Sequence, residues 1–138
     1  MTTLPSGLPD LVADDEDLAR FLTQSSWYSS SKRMAKPAAF LPWDGETSVF
    51  RHGRDPVTVL WALGQTAAGT RTLHGAALFK SEVARSILLE VTSDEPPARH
   101  AVLRGWPSVG IDPEDLKSQQ LEKANVIASA AELLLRVP

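Results

Sequence analysis

Two Asp-Pro pairs and one Asp-Gly pair do most to restrict how this chain folds. Proline has no amide to donate and locks its own φ, so it is accepted at the first position of a helix and rejected further in. An aspartate just before it offers a side-chain oxygen to the free amides of the first turn. Asp55-Pro56 and Asp112-Pro113 therefore predict two helix beginnings. Asp44-Gly45 tolerates the positive φ values of a two-residue type I′ turn, so "AAFLPWDGETSVFRH" is predicted as a hairpin, with Val49 facing one way and Ser48 and Phe50 the other.

The helix that opens at Asp55-Pro56 is expected to stop at Gly64 and to turn Val57, Leu60, Trp61 and Gly64 toward a core. Behind Asp112-Pro113, the stripe Leu116, Gln120, Ala124, Ile127, Ala131 and Leu134 predicts one long helix lying on a sheet. Upstream, "DDEDLARFLTQ" reads as another helix, capped by Asp14 or Asp15, with Leu18, Phe21 and Leu22 on one face. "SSWYSSSKRMAKP" has no clean period and reads as loop. Residues 75–86 are expected to be helical, although "RTLHGAALF" also suits the start of a strand; "ILLEVTS" and "RHAVLRG" read as two buried strands joined by a proline-stiffened loop.

These elements add up to one α+β domain over residues 1–138: a small, mainly antiparallel sheet covered on one face by helices, the C-terminal one longest. With 138 residues, 43% of them hydrophobic, the chain can bury a continuous core without staples. The absence of cysteine excludes a disulfide framework, a thiolate nucleophile and thiolate metal ligation. The first residues lack a basic stretch followed by an apolar one, and no apolar run approaches the roughly 20 residues that cross a bilayer, so a cytoplasmic protein without a membrane partner is expected. Charge is uneven: residues 1–19 hold five acids and no base, whereas residues 20–93 hold nine bases against five acids, which predicts one electropositive face.

Chemistry-bearing residues are few. His52, His74 and His100 match no local metal-ligand spacing, and no cofactor or metal is implied. Glycine-rich phosphate loops are missing, and Ser48 lacks the Gly-x-Ser-x-Gly elbow that activates many serine nucleophiles. What remains is a segment in which cations alternate with aromatic rings. Trp27, Tyr28, Lys32, Arg33, Lys36, Arg51, His52 and Arg54 would suit a phosphate-bearing or single-stranded nucleic-acid ligand, since cations neutralise phosphates while rings stack on bases.

The stretches "KPAAF", "DGETSVFR" and "RHAVLRGWP", followed by an Ala-rich terminal helix, resemble a loose group of small bacterial proteins over residues 32–135. That group has no settled activity; the resemblance implies a shared small α+β fold and draws attention to Ser48, Arg51 and His100, which match its polar positions. The expected function is a binding or interaction module whose 27–54 surface meets another protein, as a subunit of a complex, or a phosphate-rich or nucleic-acid ligand. The alternative is a small enzyme, a transferase or nuclease-like toxin, using His100 with Arg51 and Ser48.

Overall fold

The segment expected to form the first helix is a strand. In a computed structural model that describes residues 2–52, 55–108 and 112–136, β1 spans Asp17–Leu22, and Leu18, Ala19, Phe21 and Leu22 are all buried. A helix would turn Leu18, Phe21 and Leu22 to one side and leave Ala19 outside; a central strand with cover on both faces buries all four. Sequence periodicity does not separate those two cases.

The remaining elements are β2 (Tyr28–Ser29), β3 (Met34–Ala35), β4 (Thr47–Arg51), α1 (Val57–Ala68), β5 (Gly75–Lys80), α2 (Ser81–Ser86), β6 (Glu90–Ser93), β7 (His100–Arg104), α3 (Pro113–Ala130) and β8 (Glu132–Leu135). Six strands form one sheet in the order β6-β7-β4-β1-β5-β8, with every neighbouring pair antiparallel, and β2 and β3 make a separate small hairpin. The fold is α+β with a long helix near the C-terminus, as the sequence predicts. The main core lies on one face, where Leu18, Leu22, Val49 and Leu103 meet Phe40 and the α3 residue Ile127. α1 builds a smaller cluster on the opposite face, with Leu60 over Ala19, Phe21, Phe50 and Ala76.

The Asp44-Gly45 turn forms with φ values of 52° and 79°, closed by reciprocal Trp43–Glu46 backbone bonds of 2.8 and 3.1 Å. Only its second arm is a strand. The first arm is a 3-10 turn over Pro37–Phe40, because Pro37 begins a helical turn more readily than it joins a ladder. Residues 75–86 divide into β5 and α2 rather than forming one helix. The stripe ending at Leu134 also divides: α3 stops at Ala130, and β8 adds itself to the edge of the sheet beside β5, pairing Leu134 with Ala76. Asp112 caps α3 as expected, accepting from the Glu114 amide at 3.2 Å. Asp55 does not cap α1; it pairs instead with Arg99.

α1 also runs through Gly64, the position expected to end it, and stops at Gly69, where φ is 61°. Gly64 is needed for close approach. A Cβ there would lie 2.7 Å from the Phe21 ring, so the missing side chain lets α1 settle onto β1. At an open helical site, alanine for glycine adds up to about 1 kcal/mol. Here Gly64→Ala is expected to lower the unfolding free energy by about 1–3 kcal/mol through overpacking, seen as an earlier urea midpoint. A later midpoint would contradict the contact.

No helix among the described residues is long and apolar enough to cross a membrane.

Candidate functional site

α1 covers only part of its face of the sheet, and the uncovered part is polar. Strand alternation places Ser48 and Phe50 of β4 on that face, opposite Val102 and His100 of β7. The Ser48 hydroxyl lies 2.7 Å from His100 Nε2, and the His100 ring leans on Phe50 with centroids 5.2 Å apart. The other ring nitrogen, Nδ1, faces the Asp94 carbonyl oxygen at 2.9 Å and an Asp94 carboxylate oxygen at 3.4 Å. Both of those atoms only accept, so Nδ1 carries the proton of the neutral ring. Nε2 is then left with a lone pair for the Ser48 O–H.

The Asp94–Arg99 loop that holds this arrangement is fastened by Glu95. Its carboxylate accepts from the Ser6 hydroxyl at 2.5 Å, the Ser6 amide at 3.0 Å and the Arg99 amide at 2.9 Å. Burial alone would raise the Glu95 pKa, but the Ser6 hydroxyl and these two amides outweigh it and hold the pKa below the usual carboxylate range. A depressed pKa means that the clamp contributes at neutral pH and is lost as acid carries the pH down through it.

Three cavities border Ser48. The smallest, of about 390 Å³, also holds Asp44 and Glu46 beside Arg20. Of the two larger ones, one of about 630 Å³ is mostly apolar and runs under α1 past Phe50, Leu63, Pro97 and His100. The other, of about 490 Å³, is walled by Arg20, Arg71, Thr23, Trp27 and Trp43. Arg20 sits where the β1–β4 ladder stops. Pairing is present at Leu18–Arg51 and Ala19–Phe50, and beyond it the Arg20 guanidinium takes the Ser48 carbonyl at 3.0 Å and the Ala39 carbonyl at 2.7 Å. Its plane lies over the Trp27 ring, 4.7 Å from the centroid. Arg71, just beyond α1, bonds the Ala67 and Ala68 carbonyls. Among the described residues no carboxylate forms an ion pair with either guanidinium. Burial, and then the neighbouring Arg71 charge, lower the Arg20 pKa to about 10, which still leaves its guanidinium charged at neutral pH. The Thr23 hydroxyl in the same wall is buried and has no hydrogen-bond partner among the described residues.

Of the three residues considered for catalysis, Ser48 and His100 come together and Arg51 does not. Arg51 projects to the opposite face, where its side chain is 1% exposed and bound by Glu16, so it serves neither the catalytic set nor a ligand surface. His52 is buried, its Nδ1 has no hydrogen-bond partner among the described residues, and it lines neither of the two larger cavities. Tyr28 is half-buried and bonds His74 Nδ1 at 3.3 Å. Lys32 and Arg33 are exposed at the β2–β3 turn, and Lys36 is exposed beyond β3. Arg33 lines a separate hollow with Leu133 and Leu135. Arg54 lies outside the described residues. The expected 27–54 surface is therefore divided, because the short hairpin exposes Lys32 and Arg33 near β8, outside the cleft, while strand alternation sends Arg51 inward. Among its described members Trp27 joins the cleft, alongside Trp43.

Sequence reasoning missed Arg20, Arg71 and Asp94. Arg20 was hidden inside a segment read as helix. No local signal brings residues 20, 48, 71 and 100 together, since they stand on β1, β4, the end of α1 and β7. No protein-family model, curated protein or solved structure gives a significant match to the chain.

Proposed function

We propose that the chain binds a small phosphate-bearing ligand, with the phosphate against Arg20 and Arg71 and the apolar part in the groove under α1. The observation that carries this reading is a pair of guanidiniums lining one cavity where, among the described residues, no carboxylate forms an ion pair with either. Two uncompensated positive charges suit a dianion, and forked N–H donors match phosphate oxygens. Thr23, buried without a partner among the described residues, supplies a further hydroxyl. A cytoplasmic setting, where phosphorylated metabolites are abundant, belongs to this reading.

Titration with inorganic phosphate should raise the melting temperature of the native chain. Arg71→Gln, which keeps a polar side chain at the end of α1, should weaken phosphate binding about ten- to a hundredfold, the equivalent of one hydrogen bond to a charged group. Unchanged affinity in a folded Arg71→Gln variant would remove the proposal's main support.

A second reading keeps the phosphate but makes it part of a single strand of nucleic acid. Trp43 is 87% exposed at the rim of the same cavity, where a base can stack on it. On that reading affinity grows with oligonucleotide length and falls steeply with salt. Equal binding of a mononucleotide and a longer strand would count against it.

A further inference from the structure

We propose that Ser48 is the nucleophile of a phosphoryl-transfer reaction, with His100 as its base and Asp94 as the residue that positions His100. The assignment of the substrate class rests on the phosphate reading above; the assignment of the nucleophile stands on separate observations.

The first of these is the tautomer. With Nδ1–H committed to the two Asp94 oxygens, Nε2 is a free base aimed at the Ser48 hydroxyl at 2.7 Å, the relation a serine nucleophile requires. The second is position. Ser48 borders both the guanidinium cavity and the apolar groove, and its hydroxyl sits on the solvent-accessible side of the sheet. The third is what faces it. Acyl transfer needs amide donors aimed at a developing oxyanion, whereas Ser48 stands in a strand paired with β7, and the charged donors sharing its cavity are the guanidiniums of Arg20 and Arg71. Guanidiniums beside a nucleophile stabilise charge on the equatorial oxygens of a transferring phosphoryl group.

The reaction balances without an added oxidant or metal. Ser48 Oγ bonds phosphorus as its proton passes to His100 Nε2, and the bond from phosphorus to the leaving oxygen breaks. The imidazolium, stabilised by the Asp94 carboxylate, gives that proton to the departing alkoxide. In the second half a water oxygen bonds phosphorus, the Oγ–P bond breaks, and the proton lost by the water returns to Oγ through Nε2.

The test uses the full chain and two probes. An alkyl fluorophosphonate reports the nucleophile: Oγ bonds phosphorus, the P–F bond breaks, fluoride leaves and the Ser48 proton goes to Nε2. Intact-mass and peptide analysis should find one adduct per chain, on Ser48, and none in Ser48→Ala. His100→Gln should label about a hundred- to ten-thousandfold more slowly while melting like the parent chain. Asp94→Asn should slow labelling while the chain melts like the parent, and Asp94→Glu, which restores a carboxylate, should recover part of the rate, a rescue that a merely structural role would not produce. The second probe, bis(4-nitrophenyl) phosphate, should release nitrophenolate from the parent chain but not from Ser48→Ala.

An adduct elsewhere, no adduct, or equal labelling of a folded His100→Gln variant would overturn the assignment of Ser48. Phosphate binding without labelling overturns this inference and leaves the phosphate reading standing. Labelling of Ser48 without binding of phosphate or turnover of the diester keeps the nucleophile and overturns the phosphate reading.

Discussion

Arg51→Met is expected to destabilise the protein by about 3–5 kcal/mol, the usual consequence of removing one member of a buried ion pair. The guanidinium meets Glu16 in a forked pair, with contacts of 2.5 and 2.8 Å, and also donates to the Pro9 carbonyl at 2.6 Å and the Ser93 hydroxyl at 3.1 Å. One side chain thus ties the segment before β1 to β4 and to the edge strand β6. Methionine nearly matches the length but leaves a carboxylate that is 16% exposed, together with a backbone carbonyl, without a donor. Urea unfolding measures the loss. A double variant, Glu16→Met with Arg51→Met, should lose less than the sum of the two single changes, because it strands no charge. A folded Arg51→Met protein within about 1 kcal/mol of the parent would show that the pair contributes no more than a surface one. Ser48→Ala should behave differently: an exposed hydroxyl contributes little to stability, so these two residues of β4 should separate into a structural role and a chemical one.

Gly75→Val should release the last strand. A Cβ at position 75 would come within 2.2 Å of the Leu134 carbonyl oxygen, a backbone atom that cannot swing aside. β8 must then leave its register, taking with it the bond from the Arg136 amide to the His74 carbonyl at 2.9 Å. Overpacking of this kind costs about 1–3 kcal/mol when the structure yields only slightly, and more when an entire strand has to move. Hydrogen exchange should show lost protection over residues 132–135, while α3, held through Ala124, Ile127 and Ala128, keeps its own. Protection of β8 equal to that of the parent would rule out the close approach.

Much of the architecture was legible because backbone chemistry is local. Pro113 after Asp112 starts a helix whatever surrounds it, and Asp44-Gly45 reverses the chain. The alternation in β4 and β7 was equally readable, and it placed Ser48 and Val49 on opposite faces before any partner was known. Errors gathered where burial on both sides erased the period. β1 looked like a helix because four of its six residues are buried, and the stripe through α3 ran into β8 because an apolar edge strand continues the helical pattern without a break. Gly64 looked like a stop signal, since glycine carries no local mark distinguishing a helix end from a point of close packing. The candidate site was legible only as single residues. Ser48 and His100 were singled out, yet Arg51 was singled out with them, and nothing in the order of residues said that it faces the other way.

The chain by itself determined its Asp-Gly turn, its two Asp-Pro helix beginnings and the face on which each side chain of a recognised strand would sit, because these depend on φ, ψ and on neighbours one to four residues away. Strand order was left to tertiary structure. Setting β4 between β1 and β7 puts His100 beside Ser48 and Arg20 at the end of a broken ladder. The same register buries Arg51 against Glu16. Which cation is spent on the fold and which is left to meet a ligand depends on contacts between residues tens of positions apart, and only packing decides those.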